Sequence, residues 1–513
     1  MIQVSQTRPV VLKADSDTEY NILREYADFW KIPYELNTSI KGAPIFATDN
    51  ATASDESRGS PLIISPNGTK EAERIGRSYG LRVSVKNSLI SLPAGPGINV
   101  SVRTDVYEFS GPDAEPLLKS GNTQVLTKVR GDKVYLLSLN LVGEFSQRVY
   151  GGLEESPSWK FRMATRLPFS YSAIPQFVRE RSFRSREGLA EMVYEKLAPV
   201  ECLRTLFLAS LVIASGPIPR IGFWRQGKSY ALVVSHDVEG AYGLETGTAQ
   251  LLEVERSLRI RSSWNLPSNR YPLSVHSLDK LKNSGEIGAH DTKHDGRLAF
   301  LNINEKTRRL KECKDRLEHL TGRQVRGFRA PLLQHSQQLT KSASRAGFDY
   351  DSSCPSWEIL SPTSLRAHGV GTIFPFESNG ILEIPVSLPQ DHQLIRIAGQ
   401  RPSAAVDLLL RLSSWIRGLA GPCVLLVHPD YEFGTPENQP EYRRLLEGFS
   451  KDPMCEIMTL GELSDWWRLR SRTHWRTGDD QPRLSTSAEI QEELRLELVT
   501  GYGSDGFITE PLS

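Results

Sequence analysis

From residue 229 onward, short apolar runs with the character of buried strands succeed one another, and helical stretches separate several of them. No other feature limits the fold as strongly. The runs are "YALVVSH" (230–236), "RSSWNLP" (261–267), "EIGAHD" (286–291), "VRGFRAP" (325–331), "GFDYDSS" (347–353), "ILEIPVSLP" (381–389), "PCVLLVHP" (422–429) and "CEIMTL" (455–460). Between them lie stretches with helical spacing, such as "NEKTRRLKECKDRLEHLTG" (304–322) and "SAAVDLLLRLSSWIRGLAG" (403–421). Seven or eight buried strands with intervening helices imply an α/β chain folded as a (β/α) barrel rather than a two-sheet sandwich. Polar residues cluster where these strands end, and barrels build their sites at strand C-terminal ends.

The preceding part of the chain has a different rhythm. "PVVLKA" (9–14) reads as a buried strand, and "SDTEYNILREYADFWKI" as a capped helix with an acidic start. "PLIISP" (61–66), "KEAERIGRSYG" (70–80) and "LRVSVK" (81–86) repeat strand, helix and strand, which predicts a small open parallel sheet. A hairpin turning at Arg130-Gly131-Asp132 follows. The expected organisation is therefore an α/β domain over 1–175, reminiscent of flavodoxin-like or amidotransferase-like domains. A helical linker over 176–225, the barrel over 226–470 and a tail or appendage over 471–513 complete it. No cysteine precedes Cys202, so a thiol-nucleophile glutaminase is excluded from residues 1–200. No G-x-G-x-x-G follows a strand there, which argues against a dinucleotide site.

A chain of 513 residues is too long for one ordinary core. Lys plus Arg number 62 and Asp plus Glu 61, so bulk charge does not make this a nucleic-acid binder. Five scattered cysteines without a C-x-x-C pair suit a reducing compartment and exclude a cysteine-rich zinc module. The first twenty residues lack the pattern of a secretory signal, and the most apolar run, "LFLASLVIASG" (206–216), is too short to span a bilayer. These features predict a cytoplasmic protein with no membrane and no nucleic-acid partner. The oligomeric state is not legible.

Four strand ends carry groups that make chemical sense together. In "SHDVE", Asp237 and Glu239 stand two apart, so both emerge on one side of an extended strand. In "HDTKH", His290 and His294 are spaced i, i+4, which predicts two imidazoles on one face of a helical turn. "GFRAP" offers Arg329 and "LLVHPD" offers His428. Two histidines plus a carboxylate, with coordination positions left open, describe a hydrolytic divalent metal site. An acid on the first strand would take a proton from water, a separate histidine would protonate the leaving group, and Arg329 would hold the base carboxylate ionised. His236, beside the base, and Asp391, in "SLPQDHQL", are further candidates to line the pocket and touch substrate.

With these motifs in order, residues 226–470 resemble the polysaccharide deacetylase family, also called the NodB homology or carbohydrate esterase family 4 domain. "SHDVE" stands where the family has T-F-D-D-G or a D-x-D/E variant, "HDTKH" for H-x-x-x-H and "RAP" for R-x-P-Y. "YDSS" stands for a V-D-x-x-D-W-like segment, "LLVH" for L-x-H, and "SSWNL" (262–266) for an A-T-F-F-like strand. The resemblance implies a distorted NodB-like (β/α) barrel and a metal-dependent hydrolase that removes acetyl groups from N-acetylated sugars. It implies Asp237 as general base; Glu239, His290 and His294 as metal ligands; Arg329 as the residue orienting Asp237; and His428 as general acid, tuned by Asp351. The backbone N–H of Leu332, at the family's tyrosine position, would help stabilise an oxyanion. The implied metal is zinc, with cobalt, nickel and iron as alternatives, and the implied partner is a small-molecule or carbohydrate substrate.

The chain departs from the family pattern in three places. Val238 separates the two acids, so Asp237 and Glu239 both remain candidates for the acidic ligand; the D-x-D branch of the family favours Glu239. Leu332 replaces a tyrosine. The tryptophan of the fourth motif has no aligned counterpart, since Trp357 is out of place. A hydrolase of a different C–N bond, such as a cyclic amide, and a catalytically silent scaffold are the competing readings.

Overall fold

The computed structural model describes residues 8–48, 59–154, 157–361, 363–364, 366–477, 482–485 and 492–512 apart from 165–193. The chain forms two compact units: residues 1–149, 198–227 and 469–513 make the first, and 150–197 with 228–468 the second.

In the first unit, Val10–Lys13, Tyr34–Leu36, Ile45–Ala47, Leu62–Ile64 and Val134–Leu137 form parallel pairs. Antiparallel strands Thr123–Val129 and Ala114–Ser120 complete that sheet. The helix Asp17–Trp30 starts where Ser16 accepts the Glu19 N–H, and it buries Ile22, Leu23, Tyr26 and Trp30. The hairpin at 130–132 forms, with Gly131 in the left-handed region at φ 88°. "LRVSVK" does not join the parallel sheet. It opens the long strand Arg82–Gly95, which pairs antiparallel with Ile98–Ser110. Its alternation of apolar and polar residues suits a strand with one wet face, whereas parallel strands are buried on both.

The linker and tail boundaries also need correction. Residues 176–193 lie outside the described residues. The helix Pro199–Ser215 is buried through most of its length, and Ile218–Arg225 pairs antiparallel with Leu494–Gly503. Both belong to the first unit. The Gly/Pro breaks in "SGPIPRIGFWRQGKSY" suggest a linker, but the strand's partner lies some 270 residues away, beyond the reach of local pattern. The apolar run 206–216 lies in the buried helix up to Ser215, and no helix among the described residues is long and apolar enough to cross a membrane.

In the second unit, all eight apolar runs contribute strands: Tyr230–Asp237, Ser262–Leu266, Gly285–Ala289, Gly327–Phe328, Tyr350–Asp351, Ile381–Glu383, Pro422–Val427 and Cys455–Met458. They form one parallel sheet, to which Phe376–Ser378 adds an antiparallel edge. Tyr230–Asp237 is the hub. Pro422–Val427 pairs along one edge, while Cys455–Met458 and Ser262–Leu266 share the other. The sheet curls without a continuous ladder between Ile381–Glu383 and Pro422–Val427. That gap is bridged by the Leu388 N–H donating to Val424 O, and by Ser387, whose hydroxyl donates to Pro422 O and accepts from the Val424 N–H.

Strand alternation decides which polar groups of the hub face the site. His236 pairs in register with Trp264, and their rings stack with centroids 4.0 Å apart. The Nε2 of His236 meets Glu255 at 2.8 Å, and Glu255 also accepts from Ser262 (2.6 Å) and Tyr442 (2.7 Å). His236 is therefore not a substrate contact: it sits on the helix-facing side, fully buried. Glu255→Ala removes the acceptor shared by these three buried groups. It is expected to destabilise the protein by about 3 kcal/mol, read as a lower urea midpoint.

Candidate active site

Asp237 ends the hub strand on the opposite face from His236, in register with Asn265 of the next strand. Its Oδ1 accepts from Asn265 Nδ2 (2.9 Å) and from Arg329 Nη1 (3.3 Å). Arg329 is fully buried, and its guanidinium also donates to Ser235 Oγ, Ser352 O and Ser352 Oγ at 2.7–2.8 Å. Every arm of the fork is thus engaged, which fixes its geometry. Burial by itself raises the Asp237 carboxyl, but positive charge at His290 and Arg329 outweighs it and holds the group below its ordinary value. Burial drops His290 to about 4, so at neutral pH the positive charge near Asp237 comes from Arg329 and His428.

Asp237 Oδ2, the oxygen left by Asn265 and Arg329, lies 3.8 Å from His290 Nε2. His290 Nδ1 donates to Arg329 O at 2.9 Å, which leaves its Nε2 lone pair facing the site. The Glu239 Oε1 lies 3.1 Å from His294 Nε2. Ligand atoms of Glu239, His290 and His294 all fall within 4.8 Å of one another. The Nε2 of His290 is buried without a hydrogen-bond partner, and the Nε2 of His294 faces Glu239 Oε1. Burial opposes ionisation of Glu239, yet the histidines hold its carboxyl well below the usual range.

The two histidines meet differently from the sequence expectation. No helical turn carries them: Asp291 (φ 68°) and His294 (φ 50°) are left-handed within an irregular loop. Their rings still come within 4.8 Å, because the loop folds around Asp291. Its buried carboxylate accepts from the His294 N–H (3.2 Å) and from Arg309 Nε and Nη2 (both 2.5 Å). Arg309 also grips Asp295 at 2.7 Å. Arg270 lies against the outer side of His294, donating to its carbonyl at 2.8 Å.

His428, just beyond Pro422–Val427, completes the cluster. Its Nδ1 meets Asp391 Oδ1 at 2.8 Å, and its backbone N–H donates to Asp391 Oδ2 at 3.1 Å. Burial pulls the imidazole down, but Asp391, helped by Glu239 and Asp237, holds it up at about 9. The carboxylate that tunes His428 is therefore Asp391, not Asp351. Asp391 reaches it because the extended segment at 387–388 runs beside Pro422–Val427 across the gap in the sheet. Asp391 is fully buried with both oxygens on His428, so it is not placed to touch a substrate directly. Asp351 stands in register with Glu383 on the neighbouring strand and accepts from Ser353 Oγ. Burial and the facing Glu383 push Asp351 well above its ordinary value. Leu332 is half-buried and left-handed at φ 61°, in the turn following Arg329.

Asn265, Ser235 and Ser352 escaped the sequence reading. The signal for Asn265 is its parity: in "SSWNL" it alternates with Trp264, as Asp237 does with His236.

No family model matches the chain, and no curated protein does. Solved structures that it is similar to include polysaccharide deacetylases, a family 4 carbohydrate esterase, a CE4 family pseudoenzyme and an allantoinase. One described as a polysaccharide deacetylase from Mycobacterium smegmatis has 20% identity and a TM-score of 0.43, covering 50% of this chain and 96% of that one. The Puue allantoinase has 15% identity and a TM-score of 0.39, covering 48% and 92%. A family 4 carbohydrate esterase from Streptomyces lividans has 12% identity and a TM-score of 0.30, covering 43% and 89%.

Proposed function

We propose that the second unit is a metal-dependent hydrolase of C–N bonds that removes an acyl group, most simply acetyl, from an amino sugar or a small sugar conjugate. The observation that carries this reading is the convergence of Glu239, His290 and His294, with the buried His290 Nε2 lacking a hydrogen bond, beside an arginine-held Asp237. Two imidazoles and one carboxylate fit zinc, cobalt, nickel or iron(II) with coordination positions left over. Such a metal supplies Lewis acidity toward the acyl oxygen and makes water acidic enough to lose a proton near neutral pH.

This chain's residues would do the rest. Asp237 is ionised and presents Oδ2 to accept the proton from the attacking water. The Leu332 N–H would donate to the developing oxyanion. His428, protonated at neutral pH and oriented through Nδ1 by Asp391, delivers the Nε2 proton to the departing nitrogen as the C–N bond breaks.

One observation favours the second reading, a small or cyclic amide as substrate. Trp466 and Trp467 are buried in the core, so neither offers a ring on which a sugar stacks. A screen separates the two: the purified chain, supplied with Zn²⁺ or Co²⁺, is offered acetylated amino sugars and small amides while acetate and amine release are followed. Acetate from amino sugars supports deacetylation, and turnover confined to cyclic amides supports the second reading. A metal-loaded protein inert toward both sets rejects the hydrolase and leaves a binding scaffold.

A further inference from the structure

Glu239 lies beyond the end of the hub strand, in a short segment rich in glycine, and its side chain has three rotatable bonds. Strand alternation gives it a side but not a reach. Left free, it would lose rotamer entropy on each ligation. Two consecutive residues after His428 remove that freedom. Asp430 Oδ2 accepts the Glu239 N–H at 2.7 Å, and its Oδ1 accepts the Gly243 N–H at 3.1 Å. The segment packs so tightly on this carboxylate that a Cβ at Gly240 would fall 2.8 Å from Asp430 Oδ1, and one at Gly243 2.3 Å from Oδ2. Tyr271 holds the same segment elsewhere, donating to Val238 O at 2.6 Å. With the backbone fixed, the Tyr431 hydroxyl donates to Glu239 Oε2 at 3.0 Å. Oε1 is the oxygen 3.1 Å from His294. The Tyr431 ring stacks on His428, with centroids 4.9 Å apart and planes 23° apart; His392 at 5.0 Å and the Arg396 guanidinium at 5.8 Å also flank it.

We propose that Asp430 and Tyr431 form a positioning pair that sets Glu239 as a one-oxygen ligand and packs the general acid beside it, an inference that rests on the metal-site reading above. Val238 moves the second acid off the strand, and this pair restores its placement. Tyr431 occupies Oε2, so only Oε1 is presented to the cation, and its ring ties that carboxylate to His428. Partners of this kind around a metal ligand govern affinity by 10- to 100-fold.

The test titrates metal-stripped wild type, Tyr431→Phe and Asp430→Ala with Co²⁺ alone, following the visible d–d bands. The wild type is expected to develop a cobalt spectrum. Tyr431→Phe, which keeps the ring and loses only the hydroxyl, is expected to bind cobalt about 10- to 100-fold more weakly, with a changed band pattern, while the metal-free protein still melts cooperatively. Asp430→Ala is expected to weaken binding in the same direction. Wild-type affinity and spectrum in Tyr431→Phe would overturn the positioning role and leave the metal centre standing. A wild type that develops no cobalt spectrum removes the metal centre, and this inference with it.

Discussion

Replacing Asp237 with asparagine is expected to lower turnover about a thousandfold while leaving the metal content unchanged. The size follows from losing a general base, which contributes roughly 10²- to 10⁴-fold. The separation of the two effects follows from geometry. Asp237 Oδ1 is spent on Asn265 and Arg329, while Glu239, His290 and His294 group without it. Asparagine keeps the shape and an oxygen for Arg329, but it has no carboxylate to take a proton. Metal analysis of the purified variant, paired with any substrate the wild type turns over, provides the check. Loss of the metal would make Asp237 a ligand and reverse the division of labour between the two acids. Glu239→Gln should show the complementary result, an empty site with Asp237 intact.

The second large effect is on pH dependence. His428 sits at about 9 because the Asp391 carboxylate, with Glu239 and Asp237, outweighs burial. As a general acid it must be protonated, so the wild-type rate should fall only as pH rises through about 9. Asp391→Asn removes the strongest partner. The imidazole should then drop below its ordinary value of about 6.5, and the alkaline limb should move down with it. At pH 8.5 the variant is expected to be slower by roughly 100-fold, and at pH 6 by far less. The same shift has a sign for stability. A histidine raised in the folded state stabilises fully below about 6.5 and loses that contribution as pH rises through about 9. The wild type should therefore lose stability across that window and the variant should not, which thermal melting at several pH values reads directly. An alkaline limb that stays in place in Asp391→Asn would remove His428 from the role of acid.

Parts of this site are open to anyone reading the chain. Alternation along "VVSHDVEG" puts Asp237 and Glu239 on one side, and the same alternation puts His236 on the other. Its burial against Glu255 is thus a consequence of parity that chemical interest in a histidine beside a base obscures. The spacing of His290 and His294 brought two imidazoles together for a different reason from the expected one. A loop folded on Asp291 and Arg309 does what a helical turn would have done. That substitute was not legible, because Arg309 is eighteen residues further along, on the helix Ile303–Thr321.

The tuning carboxylate shows the limit most clearly. Asp351 lies in one strand-like run and Asp391 just after another, and neither run says which acid reaches His428. The choice is made where the sheet fails to close: the segment after Ile381–Glu383 crosses to Pro422–Val427 and carries Asp391 to His428, while Asp351 stays against Glu383. The roles of Ile218–Arg225 and the final strands were hidden likewise, since their pairing joins segments about 270 residues apart.

By itself, then, the sequence determined the periodic features: seven or eight strands, the face that each strand residue takes, and the residue types that gather at the strand ends. Those follow from geometry repeated every two or four residues. Only the tertiary structure decided which of those polar groups meet. Contacts such as Asp391 with His428, Arg309 with Asp291 and Tyr431 with Glu239 depend on how the sheet curls and where loops cross it. In "ALVVSHDVEG", alternation chooses the side for Glu239, and a loop nearly two hundred residues later sets its reach.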